Sequence, residues 1–158
     1  METLKLRDIV CYLPYGLRWV GIRAGAELTT REKAIIEYSV SSVAFIMTQE
    51  KHDNVPILKP ISDLYEPLED GTVPIVELAK IAFPNHKWEL WNNIAITKWR
   101  GLINGKFSYV QSENYFMTTL DSPVKNQIQL FDYLNEHHFD YKNLINRGLA
   151  IDINTIKL

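Results

Sequence analysis

The sequence predicts an α+β fold in one domain: N-terminal antiparallel strands, a central helix, a strand hairpin and a C-terminal helical pair. The first 60 residues are rich in β-branched and aromatic side chains, which favour strands. Apolar residues recur at helical spacing near the C-terminus. Because strands precede helices instead of alternating with them, the pattern indicates α+β. The 158 residues, taken as residues 1–158, suit a single domain, since domains run about 100–200 residues.

The N-terminal segment is predicted to be mostly strand. A turn at residues 13–16 (LPYG) precedes a strand over residues 17–22. Residues 34–47 are rich in Ile, Val, Tyr and Phe and favour strand, with a helix over residues 31–40 as the alternative. A short strand over residues 55–58 is expected to end at Pro60.

The central helix is predicted to follow an acidic connector, residues 63–70. Thr72 is its expected N-cap, and Pro74 fits the first turn, where the missing N–H costs no hydrogen bond. Pro84 ends the helix. The residues expected on its buried face are Ile75, Leu78, Ala79 and Ala82.

The tryptophan-rich segment over residues 87–103 fits two structures. Helical spacing would place Trp88, Trp91 and Trp99 on one face, whereas the β-branched residues between them suit strands. Asn104-Gly105 is a hairpin signal. The prediction favours strands over residues 94–119, with a polar turn at residues 111–114.

A helical pair is predicted at the C-terminal end. Ser122 is the expected cap of the first helix, whose apolar face carries Val124, Ile128, Phe131 and Leu134. Asp140 is the expected cap of a shorter helix that ends at Gly148. Residues 149–153 are expected to pack as a tail or a strand.

Composition excludes several classes of function. The chain has 17 basic and 19 acidic residues, a net charge of −2, so non-specific nucleic-acid binding is not expected. Its single cysteine, Cys11, forbids an intrachain disulfide and fits a reducing compartment. The apolar runs are shorter than the roughly 20 residues of a membrane span, so no membrane association and a cytoplasmic location are expected.

Catalytic chemistry finds little support in the sequence. The densest set of potential metal ligands is residues 136–140 (EHHFD), but adjacent histidines point about 100° apart on a helix, so His137 and His138 do not share a face. No nucleophile elbow, phosphate loop or dinucleotide motif is present. No catalytic residue, metal or cofactor is therefore predicted, and a non-enzymatic role is favoured.

Two groups of residues are candidates for binding a partner. The aromatic candidate consists of Trp88, Trp91, Trp99 and Arg100, residue types that dominate protein-interface hot spots, although tryptophans of a small domain also fill its core. The acidic candidate is a run that would engage a basic groove in the manner of nucleic acid. Its members are Asp63, Glu66, Glu69 and Asp70.

Three stretches together resemble a known family. They are LRDIVCYLPYGL (residues 6–17), PILKPISDL (56–64) and LFDYLNEHHFDYKNLINRGLAIDI (130–153). They are similar to the motifs of short, uncharacterised proteins encoded by phages, prophages and mobile elements of Bacteroides-related gut anaerobes. Lys59 and Ile61 stand where that family more often has Arg and Leu. The match covers under half of the chain, and both residues 18–54 and the tryptophan-rich middle follow the family only in general character.

The resemblance implies a biological setting and no active site. It leads to the hypothesis of a phage-derived accessory protein that binds a host protein or ribonucleoprotein, for example an anti-CRISPR-like inhibitor of a host defence system. One alternative is a small metal-dependent hydrolase or nuclease that uses dispersed carboxylates with His137 or His138. Another is a virion or packaging component. The sequence leaves the oligomeric state open.

Overall fold

The computed structural model describes residues 2–22, 33–37, 43 and 54–156. The chain forms an α+β structure of two compact units. Unit 1 combines Met1–Pro60 with Asn135–Leu158, and unit 2 is Ile61–Leu134. The helices are α1 (Leu6–Ile9), α2 (Pro74–Ala82) and α3 (Gln127–Glu136). The strands are β1 (Arg18–Ile22), β2 (Lys33–Glu37), β3 (Val55–Leu58), β4 (Trp88–Trp91), β5 (Ile94–Trp99), β6 (Leu102–Val110), β7 (Tyr115–Thr118) and β8 (Ile151–Asp152).

Unit 1 contains a four-stranded sheet in the order β2-β1-β3-β8. The pairs β1–β2 and β1–β3 are antiparallel, whereas β8 pairs with β3 in parallel. The predicted strands over residues 17–22 and 55–58 are confirmed, and the tail over residues 149–153 supplies β8. The expected strand over residues 34–47 is present as β2 but does not extend to Val43, which is helical. The rest of that stretch lies outside the described residues.

Parts of the three resembling stretches, residues 6–17, 56–60 and 135–153, lie together in unit 1. The Tyr12 hydroxyl, fully buried, donates a hydrogen bond to the Phe139 carbonyl at 3.0 Å. The Lys59 N–H donates to the His138 carbonyl at 2.9 Å, and the Asp140 N–H donates to the Lys59 carbonyl at 2.8 Å. The motifs are therefore structural. The buried residues around them are Ile9, Tyr12, Leu13, Leu17, Trp19, Val43, Leu58, Leu144, Leu149 and Ala150.

The first residues of unit 1 are helical, contrary to the strand prediction. At the start of α1 the Asp8 carboxylate accepts the Lys5 N–H at 2.9 Å, and the Asp8 N–H donates to the Lys5 carbonyl at 2.9 Å. A 3-10 helix, Leu13–Tyr15, follows at the predicted turn. It ends where Gly16 adopts a φ of 70°, a left-handed conformation that favours glycine.

The second helix of the predicted C-terminal pair does not form. Asp140 does cap this segment, since its buried carboxylate accepts the N–H groups of Leu144 and Ile145 at 2.8 and 2.7 Å. Burial raises the pKa of this carboxyl, and the two backbone hydrogen bonds oppose that rise. Asn143, however, has a φ of 60°, so residues 141–148 form consecutive turns instead of a regular helix.

Unit 2 contains a four-stranded antiparallel sheet in the order β4-β5-β6-β7. Residues 87–103 therefore form strands, and the alternative helix is wrong. The turn at residues 111–114 lies between β6 and β7 as predicted. Asn104-Gly105, in contrast, lies inside β6, where the register with β5 shifts beside Thr97 and Lys98. The chain reverses instead at Asn92-Asn93 and at Arg100-Gly101.

Two helices pack within unit 2. The predicted central helix is confirmed as α2, and its four expected core residues are fully buried. Its N-cap is Val73 and not Thr72, because the Thr72 hydroxyl donates to Asp70 at 2.7 Å. Helix α3 begins at Gln127 and not after Ser122, since Asn126 has a φ of 57° and its side chain donates to the Ile81 carbonyl at 2.7 Å.

The buried face of α3 differs from the prediction. Leu130 and Leu134 are fully buried, and Phe131 is half-buried with its ring 5.6 Å from that of Phe116. Ile128, which the late start of the helix places in its first turn, is 76% exposed. Among the described residues, no helix has both the length and the apolar character needed to cross a membrane.

Candidate functional site

The β5–β6 hairpin ends in a cluster of exposed apolar side chains, which we call the hairpin tip (residues 98–103). Trp99 and Leu102 lie directly opposite each other on the two strands, with exposed fractions of 67% and 75%. Ile103, also exposed, lies opposite Lys98. Side chains at paired positions contact each other across an antiparallel ladder. Trp99 and Leu102 therefore form one apolar surface that projects beyond the core of the sheet.

The turn of the hairpin tip has a defined geometry. Arg100 and Gly101 have φ values of 51° and 79°, and two positive φ values at the central residues are the requirement of a type I′ turn. This turn matches the twist of the strands that it joins. The Arg100 guanidinium carbon lies 5.9 Å from the centre of the Trp99 ring, within range of a cation–π interaction. The tip is thus presented in a pre-organised form.

Positive charge surrounds the hairpin tip. Residues 90–112 contain Lys98, Arg100 and Lys106 and no acidic residue. Lys98 forms an ion pair with Glu89 on the neighbouring strand. Within the part of the chain that the structure describes, Arg100 and Lys106 are exposed and have no ion-pair partner. The local charge of the tip is therefore positive although the whole chain is slightly acidic.

The aromatic candidate residues do not form one surface. Trp88 is only 7% exposed: its Nε1–H donates to the Phe83 carbonyl at 3.2 Å, and its ring packs near those of Phe83 and Phe107. Trp88 is therefore a core residue, and little of its surface is available to a partner. Trp91 is exposed but pairs with Ile94 at the far end of β5, about 17 Å from Trp99 at roughly 3.3 Å per residue.

The acidic candidate residues lie at another end of unit 2. Asp63 belongs to a 3-10 helix, Ile61–Tyr65, whose Leu64 is fully buried. The hydroxyl of Tyr65 accepts the N–H of Tyr109 at 3.4 Å, and Tyr109 lies seven residues, about 23 Å, from Leu102 along β6.

The acidic residues also differ in their surroundings. Glu66 and Glu69 are exposed. The carboxylate of Asp70 accepts both the N–H and the hydroxyl of Thr72, at 2.9 and 2.7 Å, which closes a local turn. Part of the acidic run therefore has a structural role, and the run is separate from the hairpin tip.

Leu102 and Ile103 are functional candidates that the sequence interpretation missed. The sequence favours a strand here and offers a helix with Leu102 on its apolar face as the alternative, but neither interpretation singles out Leu102 or Ile103 as a binding residue. The signal that would have found them is Arg100-Gly101, a two-residue turn between β-branched and aromatic stretches, which would have put Trp99 and Leu102 beside the reversal. By composition Asn104-Gly105 is the stronger turn pair, so the sequence predicts the hairpin turn there and not at Arg100-Gly101.

Three of the histidines, His86, His137 and His138, lie among the described residues. No group of three His, Cys, Asp or Glu side chains able to hold a metal occurs among the described residues. His138 adopts a left-handed φ of 58°, and its Nε2 is buried without a hydrogen-bond partner in the described chain. Burial lowers the pKa of His138, and the nearby charges of Lys59 and Arg18 lower it further. The lowered pKa favours the neutral form of His138, although a backbone hydrogen bond with Tyr15 opposes the shift.

Cys11 is half-buried next to an aromatic side chain. The hydroxyl of Tyr141 donates to its Sγ at 3.4 Å. This contact ties the turn after α1 to the C-terminal turns within unit 1.

No protein-family model, no curated protein and no solved structure matches the chain, so the site is interpreted from its geometry.

Proposed function

We propose that the protein acts by binding another protein, without catalysing a reaction, and that the hairpin tip is its contact surface. The observation that carries this proposal is the exposure of Trp99 and Leu102 on a structurally defined turn. Tryptophan and arginine are enriched among residues that dominate binding energy, and both occur at this tip. Apolar side chains that stay exposed to water forgo the stabilisation that burial gives. A partner protein that covers this surface would supply that burial.

The division of the chain into two units supports the same proposal. Most residues of the motifs that resemble the phage family lie in unit 1, whereas the tip belongs to unit 2 and to the tryptophan-rich stretch that follows the family only in general character. Specificity for partners commonly resides on loops held by a shared scaffold. We therefore infer a phage-derived accessory protein in the host cytoplasm that binds a host protein or ribonucleoprotein, as an anti-CRISPR-like inhibitor of a defence system does.

Affinity capture from a lysate of a Bacteroides-related anaerobe tests this function. The wild type, Leu102→Ser and Ile128→Ser are immobilised in parallel, and retained proteins are identified by mass spectrometry. Leu102 and Ile128 are equally exposed apolar residues in different places, 75% and 76%, so Ile128→Ser controls for the general loss of surface hydrophobicity. We expect a stoichiometric protein on the wild type and on Ile128→Ser that is absent from Leu102→Ser.

The same capture separates the tip from the acidic run. Glu66→Gln combined with Glu69→Gln removes two exposed charges from the acidic run. If the hairpin tip is the contact surface, this double variant should still capture the partner. Loss of the partner on the acidic double variant with retention on Leu102→Ser would move the contact to the acidic run. If no partner is recovered and the protein turns over a substrate in a screen, catalysis would replace binding as the proposed function.

A further inference from the structure

The apex of the hairpin tip is charged, although its sides are apolar. Arg100 and Gly101 form the turn itself, and Trp99 and Leu102 are the residues that flank it. A surface that receives Trp99 and Leu102 must therefore also receive the Arg100 guanidinium. This side chain is exposed, and within the described chain its only partner is the ring of Trp99.

Additional cations lie behind the apex. Lys87 immediately precedes β4, whose first residue, Trp88, pairs with Thr97, the neighbour of Lys98 on β5. Lys106, on β6, lies opposite Ile96. Among the described residues Lys87 and Lys106 form no ion pair, so the charge of Glu89 offsets only that of Lys98. A partner with carboxylates around its binding pocket would complement this arrangement.

The position of Arg100 argues against a lipid bilayer as the occupant. A hairpin that entered the hydrocarbon region would carry the guanidinium in ahead of Trp99 and Leu102, and charged side chains are costly there. Single-stranded nucleic acid fits less well, because such binding uses a track of several stacked bases and Trp99 is the one exposed aromatic ring within the described hairpin tip. A folded protein can place a carboxylate at the floor of an apolar pocket, where it pairs with the guanidinium.

We infer that the partner presents a concave apolar pocket with a carboxylate at its floor and further carboxylates on its rim. Trp99 and Leu102 fill the walls of this pocket, Arg100 pairs with the carboxylate at the floor, and Lys87 and Lys106 face the rim. This inference rests on the proposed function and adds the chemistry of the partner to it.

The variant Arg100→Asn tests the inference cleanly. Asparagine adopts positive φ readily, and Asn-Gly is a favoured pair for a type I′ turn, so the turn is kept while the charge is removed. The probe is the purified protein that the wild type captures in stoichiometric amount. Binding is titrated for the wild type, Arg100→Asn, Trp99→Ala and Ile128→Ala at about 0.1 M and about 1 M salt, between which the Debye length falls from about 10 Å to about 3 Å.

We expect Arg100→Asn to weaken binding at low salt by about tenfold or more, as loss of a buried charge partner does. Its affinity should also depend less on salt than that of the wild type. Trp99→Ala should weaken binding by about 30-fold or more, the loss typical of a hot-spot residue. Ile128→Ala should bind within about twofold of the wild type, as a substitution away from the contact does.

Two results would overturn the inference in different ways. If Arg100→Asn binds like the wild type while Trp99→Ala does not, the tip binds an uncharged pocket, and the proposed function stands without the acidic partner. If both variants bind like the wild type, the proposed function fails as well. Titrations with vesicles of equimolar phosphatidylcholine and phosphatidylserine and with oligodeoxythymidine accompany these measurements. Binding to either probe that Leu102→Ser abolishes would assign the tip to that class of ligand and overturn the acidic pocket.

Discussion

Single residues of the same type have different roles in this protein because of where the strands begin and end. Trp88 and Trp99 lie on the same face of the sheet, yet Trp88 is above the core and Trp99 is beyond it. The sequence predicts the aromatic cluster. Which of its tryptophans is buried depends on strand register, which the sequence does not predict. The register of β5 with β6 shifts between Thr97 and Lys98, shortly before the turn at Arg100-Gly101.

Gly101→Ala should destabilise the protein through backbone strain alone. Gly101 has a φ of 79°, and nothing lies within 4 Å of the position that an added Cβ would take. An L-residue in this conformation costs about 1–2 kcal/mol. Urea denaturation measures the change in the free energy of unfolding. Gly101→Asn is the matched control, because asparagine tolerates positive φ; equal losses for both variants would contradict the assignment of the turn.

His138 should make the free energy of unfolding depend on pH. Burial lowers the pKa of folded His138 below its ordinary value of 6.5, and Lys59, Arg18 and His137 lower it further, while the Tyr15 backbone opposes the change. As the pH falls from 6.5, the unfolded chain takes up a proton that the folded protein resists. The part of the free energy of unfolding that depends on His138 is therefore fully present above pH 6.5. It is lost as the pH falls from 6.5 towards the lowered pKa of folded His138.

His138→Asn measures this contribution. Asparagine suits the left-handed backbone at this position, where φ is 58°. The variant should lose less stability than the wild type between pH 6.5 and more acidic values, as followed by urea denaturation at a series of pH values. His137→Asn is the neighbouring control. Parallel pH profiles for the wild type and His138→Asn would rule out a depressed pKa.

Among the helices and strands, the sequence predicts the presence of several elements correctly but not the residues at which they begin and end. Helix α2 and the strands β1, β3 and β7 lie where composition and spacing put them, whereas β6 also contains Asn104-Gly105, which the sequence marks as a turn. Helix α3 begins later than its apparent cap, because Asn126 leaves the helical conformation to hydrogen-bond Ile81. That contact joins residues 45 positions apart, so no local pattern records it.

Two positions on α3 should respond very differently to truncation. Leu130→Ala removes a fully buried side chain and should cost about 2–5 kcal/mol. Ile128→Ala changes a side chain that is 76% exposed and should stay within about 0.5 kcal/mol of the wild type. Denaturant unfolding compares the two variants. A large loss for Ile128→Ala would mean that this face of α3 is covered, and would remove it as a control in the binding experiments.

For the whole molecule, the sequence predicted the fold class and found the motifs, but it did not predict how they come together. The N-terminal and C-terminal stretches meet in unit 1, while the residues between them include the separate sheet of unit 2. The pairing of β3 with β8 and the Tyr12–Phe139 hydrogen bond, 127 positions apart, are long-range features. The single-domain expectation stays a prediction that truncation can test.

Ending the chain after Ser122 should abolish cooperative folding. The deletion removes Phe139, Leu144 and Leu149 from the core of unit 1, and Leu130 and Leu134 from that of unit 2. The N-terminal Tyr12 hydroxyl would also lose its buried acceptor. Thermal unfolding followed by near-ultraviolet circular dichroism should show no sharp transition. A cooperative transition in the truncated chain would contradict the single-domain prediction.

The most direct test of the hairpin tip as the binding surface is site-specific photo-crosslinking. The photoreactive residue benzoylphenylalanine is placed at position 102 or at position 128, and each protein is irradiated in the same host lysate. Both positions are exposed to a similar extent, so the reactive group is equally accessible in the free protein. We predict one dominant protein adduct from position 102 and none of it from position 128. The same adduct from both positions, or no adduct from position 102 while the lysate protein still binds, would contradict the assignment.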